Sequence, residues 1–328
     1  MRSELPIVVT PGDPLGVGAE VALKAGPGAP GRLVLVGESS WILAEAQRQG
    51  VELPRVTSLE QAGQGMSLFD PPAGDEPVEV RAIRFAAQAC LASRARAMVT
   101  GPIHKARLAA QGFGFPGHTD YLGELCDVER PVMAFVGRRM RVVLATIHMP
   151  LSQVPGAITR EGLLHVVRTA HAACRQQLGI PEPVLVVAGL NPHAGDLGVL
   201  GHEELDLIGP ACDELRAEGL KVCGPYAGEA AARDVAEGRG DMLVAMYHDQ
   251  GLVPLKVLDF GSSVNWTLGL PIVRTSVDHG TADDIAGKGI ADPGSMRAAL
   301  ELADRVSRMN KAPLGRPERG LLMPSSGS

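Results

Sequence analysis

The sequence predicts an α/β protein with largely parallel strands, and two observations carry that prediction. Short apolar runs at residues 7–10, 33–37, 97–100, 132–136, 142–146, 184–188, 242–246 and 272–275 have the length and aliphatic character of buried strands. Longer segments with helical periodicity lie between them, at 19–25, 80–96, 160–178, 202–218 and 295–309. Alternation of the two with short connections is the pattern of strand–helix–strand crossovers. The 328 residues exceed what one core ordinarily fills, about 250–300 residues, yet no linker divides the chain. Two lobes sharing an extended sheet are therefore expected.

Taken in order, the first strand (7–10) runs into Thr10-Pro11-Gly12-Asp13-Pro14-Leu15-Gly16-Val17-Gly18, ahead of the helix at 19–25. Two readings of this loop stand side by side: an anion site on free amides at the helix start, or a tight βα turn. The Ala-rich segment 80–96 follows Glu79, and 160–178 carries Leu163, Leu164, Val167 and Ala170 on one face. Gly112-Phe113-Gly114-Phe115-Pro116-Gly117 spells G-x-G-x-x-G but follows a helical segment and has Pro116 where a helix should start. A dinucleotide fingerprint needs a strand before it and a helix after it, so the motif is read as a turn presenting His118 and Thr119. Residues 312–328, rich in Pro, Gly and Ser, read as a frayed end.

Composition excludes several classes. The net charge is −6 and no basic stripe is present, which argues against nucleic acid as a partner. No apolar run approaches the ~20 residues of a membrane span, and the N-terminus lacks a signal-peptide core. Cys90, Cys126, Cys174, Cys212 and Cys223 are odd in number and include no C-x-x-C pair, as expected of reduced thiols in a cytoplasmic protein.

Of nine histidines, three share a setting: His148, His193 and His248 each lie just past the C-terminal end of a strand candidate. In open parallel sheets those ends form one edge, where ligands bind. Three neutral imidazoles with open positions suit a catalytic divalent metal, although position alone does not bring them together. Downstream, Lys256, Asn265 and Arg274 supply a lysine, an amide and a guanidinium suited to a phosphate or carboxylate. Arg274 ends an apolar strand candidate, where an unpaired charge is costly, so it requires an anionic partner from substrate or protein. The stretch from Asp278 to Pro293, dense in Gly and Asp, reads as an ordered functional loop.

That last stretch, H-G-T-A-D-D-I-A-G-K-G-I-A-D-P at 279–293, resembles the adenine-binding loop of the isocitrate and isopropylmalate dehydrogenases, which bind NAD(P) without a Rossmann loop. The resemblance implies a cofactor site at His279, Gly280, Ala282 and Asp284. Asp284 matches the aspartate that accepts ribose hydroxyls in NAD-using members, so NAD is expected, with NADP possible. The whole chain is similar to the 4-hydroxythreonine-4-phosphate dehydrogenase family of pyridoxal phosphate biosynthesis. Five stretches carry this: G-D-P-L-G-V-G-A-E at 12–20, T-G-P-I-H-K at 100–105 with G-H-T-D at 117–120, A-T-I-H-M-P-L at 145–151, G-L-N-P-H-A-G at 189–195, and Y-H-D-Q-G through V-D-H-G-T-A at 247–282.

This second resemblance implies a two-lobed α/β/α architecture of the isocitrate/isopropylmalate dehydrogenase type, not a standard Rossmann domain. Its outer domain would comprise 1–129 plus 276–328 (dinucleotide side) and its central domain 130–275. It implies one divalent metal ion (zinc, magnesium, cobalt or manganese) on His148, His193 and His248. Substrate contacts would come from His118, Thr119, Lys256, Asn265 and Arg274, in a homodimer with the active site at the interface. Asp249 and Lys105 are the candidate bases, or orienting groups. The expected reaction is oxidation of 4-phosphohydroxy-L-threonine to a 3-oxo acid that decarboxylates to 3-amino-2-oxopropyl phosphate. Two departures touch the site: Tyr226-Ala227-Gly228-Glu229-Ala230 replaces a P-A-D-T stretch, and Asp196-Leu197-Gly198-Val199 replaces a glycine-rich turn. Other phosphorylated hydroxy acids (threonate or erythronate 4-phosphate) or a cis-dihydrodiol therefore stand as alternative substrates. Phosphate acyl transfer is the alternative from another class, and a phosphometabolite sensor is disfavoured.

Overall fold

The computed structural model describes residues 4–309; the tail at 312–328 lies outside them. Eleven strands form one sheet: β1 (Ile7–Thr10), β2 (Arg32–Val36), β3 (Gly65–Phe69), β4 (Ala97–Thr100), β5 (Val132–Val136), β6 (Arg141–Leu144), β7 (Val184–Ala188), β8 (Lys221–Tyr226), β9 (Met242–Ala245), β10 (Val264–Leu268) and β11 (Arg274–Val277). Their order is β3-β2-β1-β4-β11-β10-β5-β6-β9-β7-β8, the single extended sheet that the missing linker implied. Pairing is parallel from β3 through β11 and from β6 through β8. The three pairings in the middle are antiparallel.

This division decides where a site can form. Parallel strands are covered on both faces and read as continuous apolar runs. In β1, Ile7 and Val9 enter one core cluster while Val8 enters another. In the antiparallel centre β10 and β11 alternate instead. In β10, Val264, Trp266 and Leu268 are buried in the main core. Asn265 and Thr267 point the other way and pair across the ladders with Ser276 and Arg274 on one side and Phe135 and Met133 on the other. Ser276 in turn pairs with Thr100 of β4. One face of the central strands thus presents Thr100, Arg274, Ser276, Asn265 and Thr267.

Two expectations need correction here. Arg274 does not end an apolar strand: β11 begins with it, after a bend that contains Gly269 (φ 81°) and Pro271. The helix expected at 202–218 is divided into a π turn at Glu204–Ile208 and an α-helix at Gly209–Ala217. The rejected glycine motif is entered from helix Lys105–Ala110 rather than from a strand. All five cysteines are free, and among the described residues no helix is long and apolar enough to cross a membrane.

Helix His248–Asp259 lies against β6 and β9 through Gly251. A Cβ there would stand 2.5 Å from Val142 Cγ1 and 3.0 Å from Ala245 Cβ. Gly251→Ala is expected to cost about 1–3 kcal/mol through overpacking, read as a lower calorimetric unfolding midpoint. An unchanged midpoint would show that the helix has slack against the sheet.

Candidate active site

The polar face of the central strands floors a cleft of about 270 Å³. Arg274 dominates it. The residue is 2% exposed, and its guanidinium donates only to hydroxyls: Nε and NH2 to Thr100 Oγ1 at 3.2 and 2.7 Å, and NH1 to Thr267 Oγ1 at 2.9 Å. No described carboxylate pairs with it, and burial pushes its pKa down to about 9. A buried cation without an anion is expensive. Three buried atoms along the same cleft also lack partners: Asn265 Oδ1, His118 Nε2 and His279 Nε2. Buried polar atoms are nearly always bonded, so this concentration marks where a polar ligand sits.

His118 and Thr119 open helix His118–Cys126, just after Gly117. Lys105 reaches over Gly117, where a Cβ would stand 3.5 Å from Lys105 Cε. Burial first, then the charges of Arg274 and Lys105, hold the His118 ring well below the usual histidine value. His148 is held low by packing first, then by Lys105 and His248, with Asp120 opposing. Lys105 therefore acts on both rings from the rim, and Asp120 lines the cleft beside them.

β6, β9 and β7 are parallel neighbours in that order, so the loops bearing His148, His248 and His193 leave from one edge, as the strand-end argument anticipated. The His148 and His248 rings meet with centroids 5.6 Å apart. Asp249 Oδ1 lies 2.7 Å from His248 Nδ1, which leaves Nε2 of that ring as the open donor atom. Gln250 ties the loops together: its amide donates to the Gly189 carbonyl at 2.6 Å, and its Oε1 accepts from Met246 N–H at 2.7 Å. The expectation that all three histidines meet is not fulfilled within one chain. Among the described residues no group of three His, Cys, Asp or Glu could hold a metal ion. His193 stands on the strained loop after β7. From His193 to Leu197 five successive residues have φ between 44° and 80°, a left-handed run costing about 1–2 kcal/mol at each non-glycine position. Glu204, 5% exposed, anchors it by accepting from Asn191 N–H at 2.8 Å and Asn191 Nδ2 at 2.9 Å. Asp196 and Leu197 take this strain in the turn that departs from the glycine-rich pattern of the resembled family.

The 279–293 loop borders a second cavity, of about 290 Å³, lined by Val17, Val21, Ala282, Ile285 and Ala291. His279 faces both cavities. Lys256 is not brought to the Arg274 cleft; it lines this second cavity and approaches Asp278 Oδ2 at 3.4 Å. Asp284 is exposed beside it, with Gly280 also exposed. The loop after β1 is a strut: Val17 N–H donates to the Thr281 carbonyl at 3.0 Å, and Asp13 Oδ2 accepts from Arg107 Nε at 2.8 Å. Arg107 also holds Asp283 at 2.7 Å. The tight-turn reading of that loop therefore prevails over the anion site. Sequence patterns gave no sign of Arg107, whose role exists only through these long-range contacts.

The low His118 pKa fixes a pH dependence. An unfolded imidazole titrates near 6.5. Below that pH the unfolded chain binds a proton that the folded ring refuses, so stability falls with pH, by up to about 1.4 kcal/mol per unit. His118→Asn should flatten the fall in unfolding midpoint below about pH 6.5; an identical slope would remove His118 as its source.

A family model described as pyridoxal phosphate biosynthetic protein PdxA matches residues 44–303. The chain is 43% identical over 315 residues to the 4-hydroxythreonine-4-phosphate dehydrogenase of Azoarcus sp. (strain BH72), covering 91% of this chain and 96% of that protein. The crystal structure of 4-hydroxythreonine-4-phosphate dehydrogenase from Klebsiella pneumoniae aligns with a TM-score of 0.84 at 34% identity, over 93% of this chain and 98% of that one. Terephthalate 1,2-cis-dihydrodiol dehydrogenase from Burkholderia xenovorans LB400 is more distant, with a TM-score of 0.64 at 27% identity over 92% and 98%. With the family model covering most of its length, the chain belongs to the PdxA family of pyridoxal phosphate biosynthetic proteins.

Proposed function

We propose that this chain is a metal-dependent, NAD-linked dehydrogenase that converts 4-phosphohydroxy-L-threonine to a 3-oxo acid, which loses carbon dioxide to give 3-amino-2-oxopropyl phosphate, in pyridoxal 5'-phosphate biosynthesis. One observation carries the reading: Arg274 is buried with two threonine hydroxyls and no described carboxylate, so its anion must arrive with the substrate. Asn265 Oδ1, the unpaired Nε2 of a neutral His118 and Thr119 would complete the hold on the phosphorylated hydroxy acid. His148 and His248 fit a divalent cation as a pair, the second oriented by Asp249. Bound there, such an ion would acidify the substrate hydroxyl and draw electrons from the departing carboxylate. With Asp249 occupied by His248, Lys105 is the better candidate to take the hydroxyl proton, since its charge bears on both His118 and His148. The apolar cavity of Ala282, Ile285 and Ala291 suits an adenine ring, with exposed Asp284 at hand for ribose hydroxyls and averse to a 2′-phosphate, which favours NAD over NADP. The nicotinamide would accept hydride from the carbon that bears the hydroxyl.

A homodimer with the site at its interface belongs to the same reading. The strained His193 loop carries Leu197 at 90% and Val199 at 77% exposure. An apolar patch of this kind calls for cover, and His193 on that loop is then available to a site shared between two chains. The histidine pair at the cleft favours this chemistry over acyl transfer to phosphate, which needs no metal.

NAD reduction with 4-phosphohydroxy-L-threonine, compared with D-threonate and D-erythronate 4-phosphates with and without added metal, tests the assignment; stronger turnover of a threonate would move the substrate. Arg274→Gln should raise KM about 100-fold or more, in line with the 2–5 kcal/mol of a buried charge pair, while altering kcat less. His248→Ala should abolish metal-dependent turnover in a folded protein, and full activity of that variant in chelator would sink the metal assignment.

A further inference from the structure

A third cavity adjoins the one beside the 279–293 loop, with Phe260, Gly261 and Asp292 common to both. It is an open cleft of about 710 Å³ between the β5–β6 hairpin, the segment after helix His248–Asp259 and the helix Gly294–Met309. Four arginines line it: Arg138 and Arg141 from the hairpin, and Arg297 and Arg305 from the helix. Arg297, Glu301 and Arg305 fall at every fourth position, so one stripe of the helix faces the cleft.

None of the four arginines has a carboxylate partner among the described residues. Asp292 and Glu301 also line the cleft, but neither forms an ion pair with them, and Asp292 Oδ1 accepts from Gly294 N–H at 2.9 Å. The other carboxylates nearby are committed elsewhere. Asp259 accepts from Arg139 N–H at 3.0 Å. Asp241 Oδ2 accepts from Val184 N–H at 2.8 Å, so Arg141 NH1 reaches only the Asp241 carbonyl, at 3.0 Å. Asp304, on the same helix, is paired with Arg96 and Arg308. Arg141 Nε is buried with no hydrogen-bond partner at all. The charges of Arg141 and Arg305 repel each other across the cleft.

We infer that this cleft, which borders the cavity beside the 279–293 loop at Phe260, Gly261 and Asp292 but shares no lining residue with the Arg274 cleft, is a second anion site, and that it takes a small, multiply charged phosphate compound. Four guanidiniums against two carboxylates select for more than one negative charge, and their forked donors match phosphate oxygens. The cleft is too wide and too polar for an apolar occupant. Phe260, 88% exposed at its rim, offers an aromatic face to any ring that such a compound carries. The inference does not depend on the reaction proposed above.

Inorganic tripolyphosphate is the probe, titrated calorimetrically into the full chain. Expected is saturable binding that weakens steeply with salt and loses at least tenfold in affinity in the Arg297→Gln/Arg305→Gln double variant. Both side chains are exposed, and an unchanged unfolding midpoint would verify that the variant folds. Arg274→Gln and saturating NAD should each leave this binding in place. Full affinity in the double variant would overturn the inference. So would loss of binding in Arg274→Gln, which would assign the probe to the substrate cleft, or displacement by NAD, which would assign it to the dinucleotide.

Discussion

The geometry of the substrate cleft depends on one arrangement, a guanidinium sealed under the middle of the sheet with only hydroxyls to hold it. Arg274 is fixed by Thr100 of β4 and Thr267 of β10, so three strands determine where its charge lies. Hydroxyls orient a cation without neutralising it. A carboxylate in either position would relieve the cost of burial and abolish the attraction for a substrate anion. The unpaired atoms of Asn265, His118 and His279 extend the same logic: the folded chain withholds partners from the groups that a ligand is to satisfy.

Such a floor needs the antiparallel centre of the sheet. In the parallel blocks aliphatic packing claims most positions, as in β9, where all four residues are buried. In the antiparallel centre β10 and β11 alternate, whereas β5 beside them is buried throughout. Trp266 and Val264 are buried in the core below while Asn265 and Thr267 face the cleft above. The parallel block β6-β9-β7 then presents the histidine-bearing loops along a common edge, and Gln250 clips the β9 loop to the β7 loop.

What the sequence disclosed follows from the same division. Strands that are apolar throughout, such as β1, β4 and β7, were legible as runs, and so were the strand-end positions of His148, His193 and His248. β10 was not, because Val264-Asn265-Trp266-Thr267-Leu268 is a two-residue alternation and reads as a mixed polar stretch when only apolar runs are sought. β3 and β8 were missed for a similar reason: Gly65 and Ser67 dilute one, and Gly224 and Pro225 the other. Arg274 was recognised as a charge needing an anion, but its place in the strand was set one turn of the ladder too late. Lys256 carried no signal for the direction its helix would take, and it faces the cavity beside the 279–293 loop instead. Convergence of His193 with the other two histidines depends on loop conformation, which in this chain is a left-handed run that no periodicity encodes.

Charge accounting across the molecule links the two anion sites. The chain is acidic overall, and many of its arginines hold a carboxylate, among them Arg48, Arg84, Arg94, Arg160, Arg168, Arg216 and Arg239. Arg96 and Arg107, drawn further inward, hold Asp304 and Asp13. An unanswered arginine is informative where it is buried or where several face one cleft, because a carboxylate within reach would stabilise the empty protein. Arg274 is buried without a carboxylate at the floor of its cleft, and Arg138, Arg141, Arg297 and Arg305 are unanswered together around one further cleft. In both places the stability forgone is recovered only when an external anion binds, which is the physical condition for a binding site as opposed to a structural ion pair.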